Sequence, residues 1–211
     1  MVPVADVIVG VSRPEPQADA GPPAQLQIPQ FNIVPRVGLG IGIVVTALVI
    51  AAIAANKLWP LEFFHVAGGA AWTIIDLFLG LVLGPIMGML SPPARVEFTT
   101  RLMPKMVVIM PTVVTMTLAA GWQLSTKLGT NLTSYPHHAW VVASFIVVGV
   151  MSILALGLLE PANIAVLFEL KKPRPRPHVI ERLMKRFIYC AGILGVMQIA
   201  TLVIMTRLAS G

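Results

Sequence analysis

The sequence predicts an all-α polytopic integral membrane helix bundle with five transmembrane helices, a four-helix core with one added amino-terminal helix. Three observations predict it. The 211 residues are 56% hydrophobic and 11% charged, with a mean hydropathy of +0.84, whereas about a quarter of a soluble domain is charged. Five apolar stretches reach the roughly 20 residues needed to cross about 30 Å of hydrocarbon. The basic residues gather in two short loops between those stretches instead of spreading over a solvated surface.

Residues 1–35 carry Pro14, Pro16, Pro22, Pro23, Pro29 and Pro35 and no sustained apolar period. Such a segment buries too little to offset its ordering entropy, and a flexible or extended arm is expected. Residues 36–211 form the transmembrane domain. Within it, apolar length assigns helices to about 37–59, 61–90, 105–128, 137–160 and 183–208, because a chain in lipid must satisfy its backbone internally. The second is long enough to tilt or to project beyond the bilayer. The fourth meets Pro161, where a missing amide predicts a kink with the helix continuing beyond it.

Orientation follows from lysine and arginine. The loop after span two holds Arg95, Arg101 and Lys105, and the loop after span four holds Lys171, Lys172, Arg174, Arg176, Arg182, Lys185 and Arg186. With five spans these loops share one face, against Lys57 and Lys127 on the other, so the basic face is expected in the cytoplasm. The amino terminus then lies inside and the carboxyl terminus outside a plasma or inner membrane. Trp59, Trp122, Tyr135 and Trp140 fall near the outer interface, which suits amphipathic rings. The +6 net charge is explained by topology and by anionic headgroups at the 171–186 loop, not by nucleic acid. Cys190, the single cysteine, can form no intramolecular disulfide.

Chemistry must come from the few polar groups within the spans. His65, Gly69, Trp72 and Asp76 stand at offsets of 0, 4, 7 and 11, one face of a helix. A carboxylate within a span must face protein or water, so Asp76 is expected inside the bundle, as a structural hydrogen-bond acceptor or as a proton or ligand site. His137 and His138 open span four at the level of His65, and the three imidazoles form a candidate metal or haem ligand set; each alone is also an ordinary headgroup-level residue. Gly80, Gly84 and Gly88 have the spacing that admits a neighbouring helix. Met103, Met106, Met110 and Met116 read as core filling, with copper ligation the less favoured alternative. Glu160 is expected to meet a loop arginine, and Gln198 to make an interhelical hydrogen bond worth on the order of 1 kcal/mol. Asn131-Leu132-Thr133 is formally a glycosylation sequon.

The segment from Phe64 to about Leu124 has His65, Trp72 seven residues later, a glycine-rich helix end, the basic stretch FTTRLMPKM, then Pro111 and Gly121-Trp122. In this it resembles the small four-helix membrane haem proteins grouped around haem-dependent protoporphyrinogen oxidase and the copper-resistance D proteins. The resemblance covers residues 61–125, and the rest only by hydropathy and length. It implies a b-type haem ligated by His65, a pocket lined by Trp72, and a loop motif at Arg101 and Leu102. Span one and the arm are additions to that pattern, and the lysine the oxidases would place in the third core helix is missing between His138 and Leu159.

The leading expectation is therefore a bundle that binds haem b through His65, with Asp76, Trp72 and Arg101 around the cofactor, in membrane redox chemistry. A non-catalytic accessory subunit of a larger membrane complex or homo-oligomer is the second reading. Transport of copper or a small solute through methionines and outer histidines is the third. Whether the chain is an enzyme stays open at this level.

Overall fold

The computed structural model describes residues 30–129 and 137–210, with the backbone alone at His137. Most of the proline-rich arm, Tyr135 and the 131–133 sequon lie outside the described residues. Five long helices follow one another: α1 (Arg36–Ala55), α2 (Leu58–Met89), α3 (Pro92–Lys127), α4 (His137–Leu154, continuing through Ala155–Leu159 to Glu160–Leu170) and α5 (Pro177–Ala209). All five are long and apolar enough to cross a membrane, and the chain is a multi-pass membrane bundle.

Helices α2, α3, α4 and α5 close a ring in that order, with α5 packed back on α2. Helix α1 leans from outside, mainly on α3, where Gly42 lets it approach Thr112 and Val108. The core of the ring is apolar and includes Trp72, Met103, Met106, Met110, Met151, Phe187 and Leu194, so the methionines fill space as their apolar setting predicts. Helix α4 is divided in its packing: its first half lies along α5 and meets α3 through the edge-to-face contact of Phe145 with Trp122, while Glu160–Leu170 packs on both α3 and α5.

The turns explain how so short a chain makes so many passes. Helix α1 ends at Asn56 in the left-handed conformation (φ 46°), which asparagine tolerates; its side-chain oxygen accepts a hydrogen bond from Gln123 Nε2 at 3.2 Å. The α1–α2 turn and the end of α3 thus share one rim. At the opposite rim α2 ends at Met89 and α3 starts at once on Pro92, with prolines suited to the first helical positions. Arg95 reaches back to close α2, donating from Nε to Leu90 O and from Nη2 to Gly88 O, both at 2.8 Å, so two orphan carbonyls are satisfied. Residues 92–104, read from the sequence as loop, are therefore the first turns of α3. Their charges make the segment look non-helical, but they need only stand beyond the lipid. Between α4 and α5 the turn is tied by Glu169, a buried carboxylate that accepts from Lys172 and, at 2.9 Å, from Arg176 Nε. This is the loop salt bridge that the sequence reading gives to Glu160; Glu169 takes it because it sits at the helix end. Glu169→Gln is expected to raise amide hydrogen exchange across residues 171–176 with little loss of global stability, since both cations are half exposed. Unchanged exchange would show that the turn holds without it.

Two π-helical turns, Phe78–Leu83 in α2 and Ala155–Leu159 in α4, each stand just before a proline, Pro85 and Pro161. A proline has no amide and its ring displaces the carbonyl four residues back, here Leu81 and Gly157. Widening the turn re-pairs the neighbouring backbone without leaving the helix. The hairpins α2–α3 and α4–α5 therefore share one plan, with a π turn before a proline in the first helix and a proline start to the second. Arg-Leu-Met also recurs, at 101–103 and 182–184, with both methionines buried.

Candidate functional site

The buried polar groups are spread over α2 to α5, and one stripe of α2 carries Trp72 and Asp76 among them. Trp72 is 2% exposed and Asp76 fully buried, so the face that carries His65, Gly69, Trp72 and Asp76 looks into the bundle. Asp76 Oδ2 accepts a hydrogen bond from Gln198 Nε2 of α5 at 2.9 Å. The expected interhelical bond of Gln198 is this one, and Asp76 is its acceptor. Asp76 Oδ1, Gln198 Oε1 and Trp72 Nε1 are buried with no hydrogen-bond partner among the described residues. On α4, Glu160 Oε2 and both amide atoms of Asn163 are in the same condition. The ring thus encloses more polar capacity than its own side chains satisfy.

His65 is half buried two turns nearer the rim that holds Asn56 and Gln123. Its Nδ1 lies 2.9 Å from the carbonyl oxygen of Thr117 in α3. A carbonyl only accepts, so Nδ1 carries the proton in this contact, and in the tautomer with no second proton Nε2 presents its lone pair. Gly121, one turn further along α3, makes the seat for the ring: a Cβ there would come within 2.6 Å of His65 Cε1. Gly68 has the same role a turn deeper in α2, where any side chain would strike Thr117 and Met116. The close approach of α2 to α3 follows from these glycines, and the imidazole orientation follows from the approach.

The other sequence candidates are placed apart. Arg101 is exposed, paired with Glu97 at 2.7 Å, and roughly 24 Å along α3 from Thr117 at 1.5 Å per residue. It shares no site with His65; the resemblance links them through sequence order, and the length of α3 separates them. His138 is exposed in the first turn of α4, and among the described residues no hydrogen bond or ring contact joins it to His65, whose own contacts are with Thr117 and Gly121 of α3. The side chain of His137 lies outside the described residues. Among those residues no three His, Cys, Asp or Glu side chains cluster in a manner suited to a metal ion. A groove of about 790 Å³ lies elsewhere, between α2 and α5 at the basic rim, and no histidine lines it.

Sequence reading misses Thr117 O, since a backbone carbonyl leaves no mark in a side-chain pattern. It also misses Gly121 as a ring seat, although the glycine stands in the Gly121-Trp122 pair that carries the resemblance. Asn163 stands out in sequence only as a neighbour of Pro161, and nothing there signals its full burial without a partner. Comparison with protein-family models, curated proteins and solved structures finds no match to this chain.

Proposed function

We propose that this membrane bundle holds a b-type haem through His65 Nε2 and takes part in membrane redox chemistry. The observation that carries the reading is the contact of His65 Nδ1 with Thr117 O. Ligating histidines donate their second nitrogen to a carbonyl or carboxylate in this way, which fixes the tautomer and raises ligand basicity. Trp72, buried two turns further in on the same face, suits a wall of the pocket. The residues present therefore fit one axial ligand and a wall of the pocket. When bound, haem supplies one-electron chemistry, while the protein sets ligation, solvent exclusion and local polarity. Asp76 and Gln198 provide a buried carboxylate–amide pair beneath that wall, able to hold a proton or a polar substituent.

The basic rim, where Arg95, Lys172, Arg176 and Lys185 collect, is assigned to the cytoplasm of a cell membrane by the positive-inside rule. His65 then works near the outer leaflet.

Titrating the detergent-purified full chain with haemin tests the reading. The expected result is one equivalent bound with a shifted Soret band, and a reduced α-band of b type after dithionite. His65→Ala should abolish it. Gly121→Ala keeps the ligand but displaces the ring, and should weaken binding roughly 10–100-fold, the range for disturbed outer-shell support. Unaltered spectra in both variants, or a wild type that binds no haem, would remove the proposal. A colourless protein recovered at fixed stoichiometry with other membrane proteins would favour an accessory subunit in its place.

A further inference from the structure

At the basic rim, α2 and α5 diverge around a groove of about 790 Å³ that is open on the side facing the bilayer. Its walls are apolar, and Leu81, Ile193 and Val196 at its edges are exposed. The floor is kept low by glycine: Gly84 faces Ile188, and a Cβ on Gly88 would meet nothing within 4 Å. Along α5 the lining runs from Pro177 to Met197, and its stretch beyond the charged mouth, from Lys185 to Met197, is roughly 18 Å at 1.5 Å per residue. Half the hydrocarbon of a bilayer is about 15 Å. The part of the groove beyond Lys185 is therefore comparable in depth to one leaflet.

Its mouth is charged. Arg95 Nη1 and Lys185 Nζ approach the same oxygen of Glu181, at 3.4 and 2.9 Å, so two cations converge on one carboxylate and leave an excess positive charge. Arg95 is held in place by its bonds to Leu90 O and Gly88 O. All three charged side chains line the groove. A phosphodiester beside Glu181 is within reach of both cations, while the acyl chains attached to it run down the glycine floor.

We infer that this groove is a binding site for one anionic phospholipid of the adjoining leaflet, its phosphate held between Arg95 and Lys185 and its chains seated on Gly84 and Gly88. An apolar helix would fill the walls equally well but would bury two cations that share a single carboxylate, leaving one positive charge uncompensated, which is costly. An anionic headgroup meets them, and each such cation near a membrane surface is worth about fivefold in affinity. The site is separate from His65 and does not depend on any cofactor there.

Native mass spectrometry of the full chain released from mixed micelles of phosphatidylglycerol and phosphatidylcholine tests it. Wild type should retain one phosphatidylglycerol, with a preference over phosphatidylcholine of at least about fivefold. Lys185→Gln, a change at an exposed side chain, should reduce that preference by about the same factor while the thermal midpoint holds. Gly88→Leu fills open space in the groove and should exclude both lipids. Equal retention of the two lipids by wild type, or phosphatidylglycerol retention unchanged in both variants, would overturn the proposal. A dimer mass that Gly88→Leu abolishes would also overturn it, by giving the groove to a second copy of the chain.

Discussion

Alanine at position 80 is expected to be among the most damaging single-methyl additions in the protein, and alanine at position 192, its contact partner, close to harmless. The two glycines face each other where α2 crosses α5. A Cβ on Gly80 would strike the Gly192 backbone, with its nitrogen at 2.9 Å, whereas a Cβ on Gly192 meets Gly80 Cα at an ordinary 3.6 Å. Backbone cannot rotate away as a side chain tip can, so Gly80→Ala must push the helices apart. Overpacking of this kind costs about 1–3 kcal/mol, against which alanine returns at most about 1 kcal/mol of helix propensity. The neighbouring close contacts of Gly84 with Ile188 and of Gly195 with Leu77 lie on the same seam and would be strained with it. Thermal unfolding in detergent, followed by helical circular dichroism, should show a clear fall in midpoint for Gly80→Ala and none for Gly192→Ala. Equal midpoints would mean that the seam is not formed as described.

Gln198→Leu should be the more damaging of the two ways to break the Asp76–Gln198 pair. It leaves a fully buried carboxylate with its Gln198 donor removed, and orphaning a buried charged or polar group costs about 1–3 kcal/mol or more. Asp76→Leu removes the carboxylate and leaves only a neutral amide unpaired, a smaller penalty. Replacing both by leucine deletes the polar pair, and the double variant is expected to be more stable than Gln198→Leu alone. A coupling near 1 kcal/mol is in keeping with interhelical hydrogen bonds in membranes, and a double-mutant cycle on unfolding midpoints reads it directly. Strict additivity would place the two side chains outside each other's influence.

The membrane spans are legible in the sequence because lipid offers the backbone no hydrogen-bond partner, so apolar length alone identifies helices. Boundaries are less so. The charges of Arg95, Glu97 and Arg101 hide the start of α3, which rests on Pro92 and extends above the lipid. The sequence indicates a bend in α4 at Pro161; that it is accommodated by a π turn, matched by another before Pro85, depends on neighbouring carbonyls no residue pattern exposes. The inward stripe of α2 is readable from its spacing, and the donor role of Gln198 from the rarity of amides in spans. Its acceptor cannot be chosen that way, because pairing position 198 with position 76 requires the register of two helices. Gly80 signals close packing, but its partner Gly192 has no small-residue motif of its own on α5. Arg101 and His65 look like members of a single motif in sequence, yet Arg101 stands roughly 24 Å along α3 from the Thr117 that His65 of α2 contacts, since adjacency in a motif says nothing of depth in a bilayer.

Tautomeric state at His65 is where the functional reading is most exposed. Nitrogen-15 chemical shifts of the imidazoles, in full-length protein free of added cofactor, separate Nδ1–H from Nε2–H rings, and His65→Gln assigns the signal. Contact with Thr117 O requires a proton on Nδ1, and the ligand role requires in addition a ring with a bare Nε2. A ring protonated at Nε2, or an imidazolium carrying both protons near neutral pH, would leave no lone pair for iron and would contradict the ligand role.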